Sequence, residues 1–242
     1  MAAALIEAVG WRDAYLVLGG AGVVVLLGCA ALVRPAPVGV DVVPVPLLPR
    51  LRTRAYATLY GAGLLLSIAL FVPFVHLPAY AESRGAGAVA GAALVGVLGA
   101  ASVVGRLSLG AIAARLGVLR TYQTCFLLMA GNFTLWLGEP SYARLVGFAV
   151  LLGVGYGGFA AVGPALVAEM FGVQGLGALL GVLYTSAGLG SAVGPPLAGV
   201  LIGNGRGYGT TVLCSLAVAT MAAVLVHRLR PAPAWRTGGA TD

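Results

Sequence analysis

The chain has 242 residues, of which 60% are hydrophobic and 9% are charged. A soluble domain is about 45–50% apolar and about 25% charged, so this composition excludes a soluble enzyme and indicates an integral membrane protein. The net charge of +7 does not indicate nucleic acid binding, because every basic residue is an arginine and nearly all lie between apolar runs or at their ends. We therefore predict the lipid bilayer, and no nucleic acid, as a partner.

Apolar runs long enough to span a bilayer, about 20 residues each, recur along the chain. We count seven: 14–33, 55–80, 85–105, 121–138, 145–168, 174–202 and 208–227. The fourth is marginal in length, and the sixth is expected to tilt or bend at Pro195-Pro196. No run contains an interior Asp, Glu or Arg. The sequence predicts an all-α integral membrane protein with about seven transmembrane helices.

Residues 34–54 form the long connection between the first run and the other six. This stretch is rich in proline and ends in a basic cluster, Arg50, Arg52 and Arg54, which is typical of a semi-extended linker. We expect one helix before it, a six-helix bundle over 55–228 after it, and a tail over 229–242. The residues from 6 to 19 suggest the end of one helix, a tight turn and the start of another.

The arginines predict how the chain is oriented in the membrane. If the loops are numbered alternately, one side carries four arginines and the other carries ten. Because arginine is enriched in cytoplasmic loops, the second side is predicted to be cytoplasmic. The N-terminus is then outside, the C-terminus is inside, and the linker is cytoplasmic. We expect a multi-pass protein of the cell inner (plasma) membrane.

Two other functional classes are disfavoured by missing residue types. A membrane-embedded enzyme needs clustered His, Asp, Glu or Cys at membrane depth, whereas this chain has two distant histidines and no acid inside a run. We expect no metal site, no cofactor and no enzymatic activity. A seven-helix receptor of the retinal type requires a lysine for its Schiff base, and the chain contains none.

Three segments share the spacing of motifs in one transporter family. They are Gly10-Trp11-Arg12; Gly105-Arg106-Leu107-Ser108-Leu109-Gly110, followed by Arg115-Leu116-Gly117; and Glu169-Met170-Phe171-Gly172, followed by Gly194-Pro195-Pro196-Leu197-Ala198-Gly199. Through these segments the chain resembles the major facilitator superfamily and, more narrowly, its monocarboxylate-porter-like branch. The resemblance assigns a motif or gating role to Gly105, Gly110, Arg115, Gly117, Glu169, Gly194, Pro195 and Pro196.

The resemblance implies that the seven helices correspond to the sixth through the twelfth of the family. Residues 1–33 would be the remnant of its fifth and sixth helices, and 34–54 its central linker. The implied function is secondary active transport of a small organic solute, a monocarboxylate-like anion, by alternating access, with a possible coupling proton. We expect a truncated or partial transporter that an N-terminal half or a homodimer completes. The alternative is a non-functional or partner-dependent half with no activity alone.

Arg106 is the main candidate for substrate binding. Its guanidinium can pair bidentately with a carboxylate, and the resemblance gives an arginine at this point that role. The family has an aspartate one turn earlier, where this chain has Ser102, and an acid before Arg115, where it has Ala114. Both departures weaken proton coupling and the family's charge relay. A positive-inside anchor at a helix end remains the alternative for Arg106.

Other polar residues have both a functional and a structural interpretation. Glu169 is expected to pair with Arg106 or Arg115, or else to be an exposed carboxylate; Glu82 and Arg84 are expected to form a solvated turn. His76 is either a weak proton-relay candidate or a hydrogen-bonded anchor. Polar residues inside the runs are expected to line a substrate path or to join helices: Tyr60, Ser67, Gln123, Asn132, Tyr156, Tyr184, Thr185 and Ser186.

Small residues four apart predict close helix contacts, because glycine lets two membrane helices approach each other. The pairs are Gly87/Gly91, Gly153/Gly157, Gly177/Gly181 and Gly190/Gly194.

Overall fold

The computed structural model describes residues 2–32 and 47–230. Within these ranges all regular structure is helical, which confirms the all-α fold. The chain divides into two units, Met1–Pro44 and Val45–Asp242, which are described separately. Most of the expected linker, residues 34–46, and most of the expected tail, residues 231–242, lie outside the described residues.

The first unit contains one helical element, α1 (Ala2–Leu32). Its backbone leaves helical geometry at Gly10, with φ 81° and ψ 161°, at the point where the sequence predicts a turn. This positive φ suits glycine, because a side chain there would be strained. Ala8–Leu32 is long and apolar enough to cross a membrane, and it contains the first predicted run.

The second unit begins with a short helix, α2 (Leu47–Leu51), and continues with six longer ones. These are α3 (Arg54–Ser83), α4 (Ala88–Leu116), α5 (Val118–Asn132), α6 (Tyr142–Phe171), α7 (Leu176–Leu201) and α8 (Gly207–His227). A 3₁₀ turn, Phe133–Trp136, extends α5, and a π-helical turn, Ile202–Arg206, joins α7 to α8. Each predicted run therefore coincides with a helix.

By length and composition, four segments of the second unit qualify as membrane spans in addition to Ala8–Leu32. They are Arg54–Ser83, Ala88–Leu116, Tyr142–Phe171 and the continuous Leu176–His227, which includes both α7 and α8. Helix α5, at 15 residues, is shorter than a standard span. This matches the marginal length expected of the fourth run.

The third predicted run, 85–105, ends earlier than the corresponding helix, α4. The apolar pattern stops before Arg106, but α4 continues to Leu116. An arginine is a good helix former and does not break the backbone. The break comes at Gly117, whose φ of 90° separates α4 from α5. Arg106 therefore lies inside a helix and not at its end.

The six long helices pack in a repeated pattern around one core. Helix α4 runs along α6 and α3 runs along α7, while α5 packs on α6 and α8 packs on α3; α5 and α8 contact each other. The largest fully buried side chains include Tyr122, Phe126, Phe133 and Phe148. This arrangement brings α3, α5, α6 and α7 around a common interior space.

Two of the predicted glycine pairs lie where helices cross most closely. A β-carbon on Gly153 or Gly157 would overlap the carbonyl oxygen of Leu98 or Ser102 on α4. On α7, a β-carbon on Gly190 or Gly194 would collide with Ser67 and the backbone of Ile68 on α3. These pairs confirm the close-packing prediction.

The other two glycine pairs behave differently. A β-carbon on Gly91 would lie 3.0 Å from the Pro78 carbonyl oxygen, whereas Gly87 has open space. A β-carbon on Gly177 or Gly181 would likewise have no atom within 4 Å among the described residues. The packing prediction is therefore wrong for Gly177/Gly181 within this part of the chain, because both face away from the bundle's interior contacts.

Candidate functional site

A cavity of about 150 Å³ lies among α3, α5, α6 and α7. Its walls combine aromatic rings, hydroxyl groups and small aliphatic residues. The lining residues are Gly63, Ser67, Leu70, Phe71, Tyr122, Tyr156, Phe159, Ala160, Gly163, Leu180, Leu183, Tyr184, Ser186 and Ala187. None of these carries a formal charge at neutral pH.

The aromatic wall is held rigid by contacts between rings. The ring centroid of Tyr122 lies 5.1 Å from that of Phe126 and 5.3 Å from that of Phe159. Tyr156 packs edge-on against Phe74 at 5.8 Å. Aromatic pairs at these separations are attractive beyond the area they bury, so the contacts between rings stabilise the wall.

Two side chains of the lining are almost fully buried and carry a hydroxyl group that makes no hydrogen bond with another described residue. Ser67 on α3 and Tyr122 on α5 are each 2% exposed. Ser186, by contrast, donates to the Leu183 carbonyl oxygen at 2.6 Å. Tyr184 is 53% exposed and marks the accessible side of the cavity. The interior thus offers two unused hydroxyls beneath an aromatic rim.

Arg106 and Ser102, the main predicted pair, do not line this cavity. Arg106 is exposed on α4, and its side chain makes no salt bridge or hydrogen bond with another described residue. Ser102 is buried at 7% exposure, and its hydroxyl donates to the Gly99 carbonyl oxygen at 2.7 Å within the same helix. The serine hydroxyl is therefore already used by the backbone.

The remaining predicted substrate residues separate into two groups. Tyr184 lines the cavity, while Tyr60 joins α3 to α7 through a hydrogen bond of 3.0 Å with Thr185. Because the Thr185 hydroxyl donates to Val182, Tyr60 is the donor to Thr185. Asn132 donates to the Phe148 carbonyl oxygen at 2.8 Å. Tyr60 and Asn132 thus connect helices, as membrane-buried polar side chains commonly do.

The wider set of polar residues in the runs includes genuine cavity residues. Ser67, Tyr156 and Ser186 line the cavity, whereas Gln123 donates to the carbonyl oxygens of Val226 and Leu229 at 3.2 and 3.3 Å. Sequence reasoning missed Tyr122. The available signal was its spacing from Phe126, since residues four apart share a helix face.

The motif residues lie at a helix crossing, at a helix end or at exposed positions. Gly105 lies at the α4–α6 crossing, close to the backbone of Val154, while a β-carbon on Gly110 would meet open space. Gly117 ends α4 and separates it from α5. Glu169 and Arg115 are both exposed, and the structure shows no ion pair between Glu169 and either Arg106 or Arg115 in the described ranges.

His76 contacts the Pro195-Pro196 segment. Its Nε2–H donates to the Pro195 carbonyl oxygen at 3.0 Å, which joins α3 to α7 near Gly194. A protonated Nε2 leaves Nδ1 free to exchange a proton in the neutral ring. This is the hydrogen bond expected of an anchor, and the relay stays a prediction.

Glu82 and Arg84 are exposed where α3 ends in a turn, as expected, and Arg84 also has a partner that the sequence did not indicate. Arg84 forms an ion pair with Glu139, with Nη2 3.0 Å from Oε2, and so connects the α3–α4 loop to the segment before α6. A second hydrogen bond, from Nη1 to Oε1, is also 3.0 Å long. The hydrogen bond and charge of Arg84 lower the pKa of the Glu139 carboxyl group. The same hydrogen bond and the charge of Glu139 raise the pKa of Arg84.

The apolar helices and their close crossings define a multi-pass membrane protein whose second unit contains a cavity. The Major Facilitator Superfamily model matches residues 1–143 and 109–242, which together span the chain. The protein belongs to the Major Facilitator Superfamily, a family of membrane transporters.

Similar proteins include both carboxylate transporters and an efflux protein. Monocarboxylate transporter 12-B of Danio rerio is 30% identical over 251 residues, which cover 87% of this chain and 52% of the relative. Monocarboxylate transporter 4 of Mus musculus is 27% identical, covering 90% and 50%. An aspyridones efflux protein of Emericella nidulans is 30% identical, covering 72% and 36%. The chain thus spans about half the length, or less, of these relatives.

Proposed function

We propose that this chain supplies the C-terminal half of a secondary active transporter, which moves a small organic solute across the cell membrane by alternating access. The solute we propose is a monocarboxylate-like anion. The observation that carries this proposal is the match of 87% of the chain to a monocarboxylate transporter, combined with an exposed arginine inside a membrane helix.

Arg106 is proposed as the residue that binds the carboxylate. It lies ten residues, or about 15 Å along the helix axis, before the end of α4 at Leu116. A cation inside an apolar helix is costly and generally faces a cavity or a partner. The interior position favours the binding role over the helix-end anchor, and the exposed side chain is available for a bidentate pair.

Transport by this mechanism needs a second helical bundle. Alternating access in this superfamily is a rocking of two bundles around a site between them. We propose that an N-terminal half, in the same polypeptide or a separate one, or a second copy of the chain completes the cavity. The proposed orientation, with the N-terminus outside, follows from the arginine distribution.

We propose that proton coupling follows a route other than an acid at position 102. Ser102 cannot exchange a proton near neutral pH, and its hydroxyl is bonded to Gly99. His76 is the proposed relay, because the hydrogen bond to Pro195 leaves one ring nitrogen free. Its place at the α3–α7 contact would couple protonation to the packing of those helices.

The alternative is a non-functional or partner-dependent half-transporter with no activity alone, and one preparation tests both proposals. Protein with its bound partners is isolated from source membranes by an antibody to the tail, sized by blotting, and reconstituted into liposomes for lactate uptake. We expect uptake from assemblies larger than the 24.2 kDa chain. Robust uptake by the purified monomer would contradict the need for a second bundle, and no uptake from any assembly would favour the inactive alternative.

The role of Arg106 is tested in the same assay with Arg106→Lys. Lysine keeps the charge but loses bidentate geometry, and the loss of one charged hydrogen bond, about 1.5–3 kcal/mol, corresponds to an uptake affinity at least about tenfold weaker. Arg120→Lys, an exposed arginine at the start of α5, is the matched control. Unchanged lactate uptake and affinity in Arg106→Lys would refute the binding role.

A further inference from the structure

We propose that the cavity among α3, α5, α6 and α7 binds an uncharged, ring-sized group that forms hydrogen bonds, such as a phenol, and that it excludes carboxylates. This inference rests on the proposed transport function, since it names a class of solute, or of solute moiety, for the membrane-embedded bundle. It assigns to the cavity a specificity different from that of Arg106.

The size and walls of the cavity fit one aromatic ring. Its volume of about 150 Å³ equals that of a dry apolar cavity known to accept benzene in another protein. Phe71, Phe159 and Tyr156 present aromatic surfaces to this space, and rings packed edge-to-face or offset attract one another. A bicyclic solute would exceed the enclosed volume unless part of it emerged past Tyr184.

The buried hydroxyls supply the polar part of the recognition. Ser67 and Tyr122 line the cavity from different helices, both are 2% exposed, and neither has a partner among the described residues. Both hydroxyl groups are therefore free to form a hydrogen bond with a ligand that enters the cavity. A hydroxyl-bearing ring can donate to one of these oxygens and accept from the other.

Because the lining carries no formal charge, the cavity disfavours binding of a carboxylate. A carboxylate entering this space would lose its water without gaining a counter-ion, which strongly disfavours burial. None of the fourteen lining residues is an arginine, a histidine or an acid. An anionic solute would therefore have to keep its charged group outside the cavity.

The test compares toluene, phenol and benzoate, which share a ring and differ in polarity and charge. Binding to the chain in lipid nanodiscs is measured by saturation-transfer NMR. The blank is the Gly163→Leu variant, whose new side chain enters the cavity because a β-carbon there meets only Tyr122, at 3.6 Å. Gly147→Leu on the same helix, with nothing within 4 Å, is the matched control. We expect phenol to bind at least tenfold more tightly than benzoate, with loss in Gly163→Leu and retention in Gly147→Leu.

A second variant tests the hydroxyl contact without changing the shape of the cavity. Tyr122→Phe keeps the ring that packs on Phe126 and Phe159. Removing one hydrogen bond, worth about 0.5–1.5 kcal/mol, should weaken phenol binding about 2- to 12-fold, while toluene binding should be unchanged. Equal losses for phenol and toluene would contradict recognition by the hydroxyl.

The outcomes separate this inference from the proposed transport of an anion. Phenol binding that survives Arg106→Lys supports the cavity site even if lactate uptake is absent. Benzoate binding equal to that of phenol, or phenol binding that is unaffected by Gly163→Leu, overturns the cavity proposal. In that case, lactate uptake that depends on Arg106 would still support the transport function.

Discussion

The α4–α6 crossing makes a quantitative prediction for Gly157→Ala. A β-carbon at residue 157 would overlap the carbonyl oxygen of Ser102 and approach the backbone nitrogen of Arg106 to 3.0 Å. Backbone atoms in the middle of two packed helices cannot move aside as a flexible side chain can. The helices must separate, and overpacking of this kind typically costs about 1–3 kcal/mol.

The matched control is Gly147→Ala, on the same helix. A β-carbon there meets nothing within 4 Å, and alanine is the better helix former by about 0.5–1 kcal/mol. Gly147→Ala should therefore be neutral or slightly stabilising. The two substitutions change the same atoms in the same helix, so the difference between them isolates the contact with α4.

The assay is reversible unfolding of the 242-residue chain in mixed detergent micelles, followed by tryptophan fluorescence. Trp136 is 2% exposed within the second unit, so its environment changes when the bundle opens. We expect Gly157→Ala to lower the free energy of unfolding by about 1–3 kcal/mol relative to wild type. Equal stabilities of Gly157→Ala and Gly147→Ala would refute the close crossing as a packing constraint.

Two further predictions concern polar contacts. Glu139→Gln should cause a small loss of thermal stability at neutral pH, and this loss should fade in acid. Arg84 lowers the pKa of the Glu139 carboxyl group, so the ion pair stabilises the fold above the usual pKa of 4.5, and the stabilisation is lost as the pH falls through the lowered pKa. A Glu139→Gln difference that persists at pH 2, or that Glu82→Gln reproduces, would argue against the ion pair. Tyr56→Phe should lower the free energy of unfolding by about 0.5–1.5 kcal/mol, because the Tyr56 hydroxyl donates to the Leu179 carbonyl oxygen at 2.7 Å in a buried position. Tyr60→Phe removes an exposed hydrogen bond and should lower the free energy of unfolding by less. A larger loss in Tyr60→Phe than in Tyr56→Phe, measured by chemical unfolding, would contradict this reasoning.

The helices could be predicted from the sequence because hydrophobic length is a direct physical requirement of the bilayer. All seven runs coincide with helices, and Gly10 and Gly117 mark backbone breaks. The end of α4 could not be predicted from hydropathy, because Arg106 interrupts the apolar pattern without interrupting the hydrogen-bonded backbone. Gly117, not the arginine, carried the correct signal.

The candidate site was only partly predictable. Tyr184, Tyr156, Ser67 and Ser186 were singled out as polar residues inside apolar runs, but composition does not say which of them face a cavity and which join helices. Asn132 has the same sequence signature as these residues and donates instead to Phe148. The distinction depends on helix rotation, which is set by packing across the bundle.

The partner of Arg84 shows the same limit at the surface. Glu82 is two residues away in sequence, whereas Glu139 is separated from Arg84 by 55 residues and lies at hydrogen-bonding distance. Residues two apart on a helix do not face each other, and nothing in the local sequence marks Glu139 as the partner of Arg84. Contacts between loops follow from how α3, α4 and α6 pack.

The helix contacts of the second unit repeat between its first three long helices and its last three. If α3, α4 and α5 are taken to correspond to α6, α7 and α8 in that order, the contact of α4 with α6 corresponds to the contact of α7 with α3. The contact of α5 with α6 corresponds in the same way to the contact of α8 with α3. Three helices are an odd number, so the second triplet enters the bilayer from the side opposite to the first. The close crossing of α4 with α6, made at Gly153 and Gly157, therefore corresponds to the close crossing of α7 with α3, made at Gly190 and Gly194.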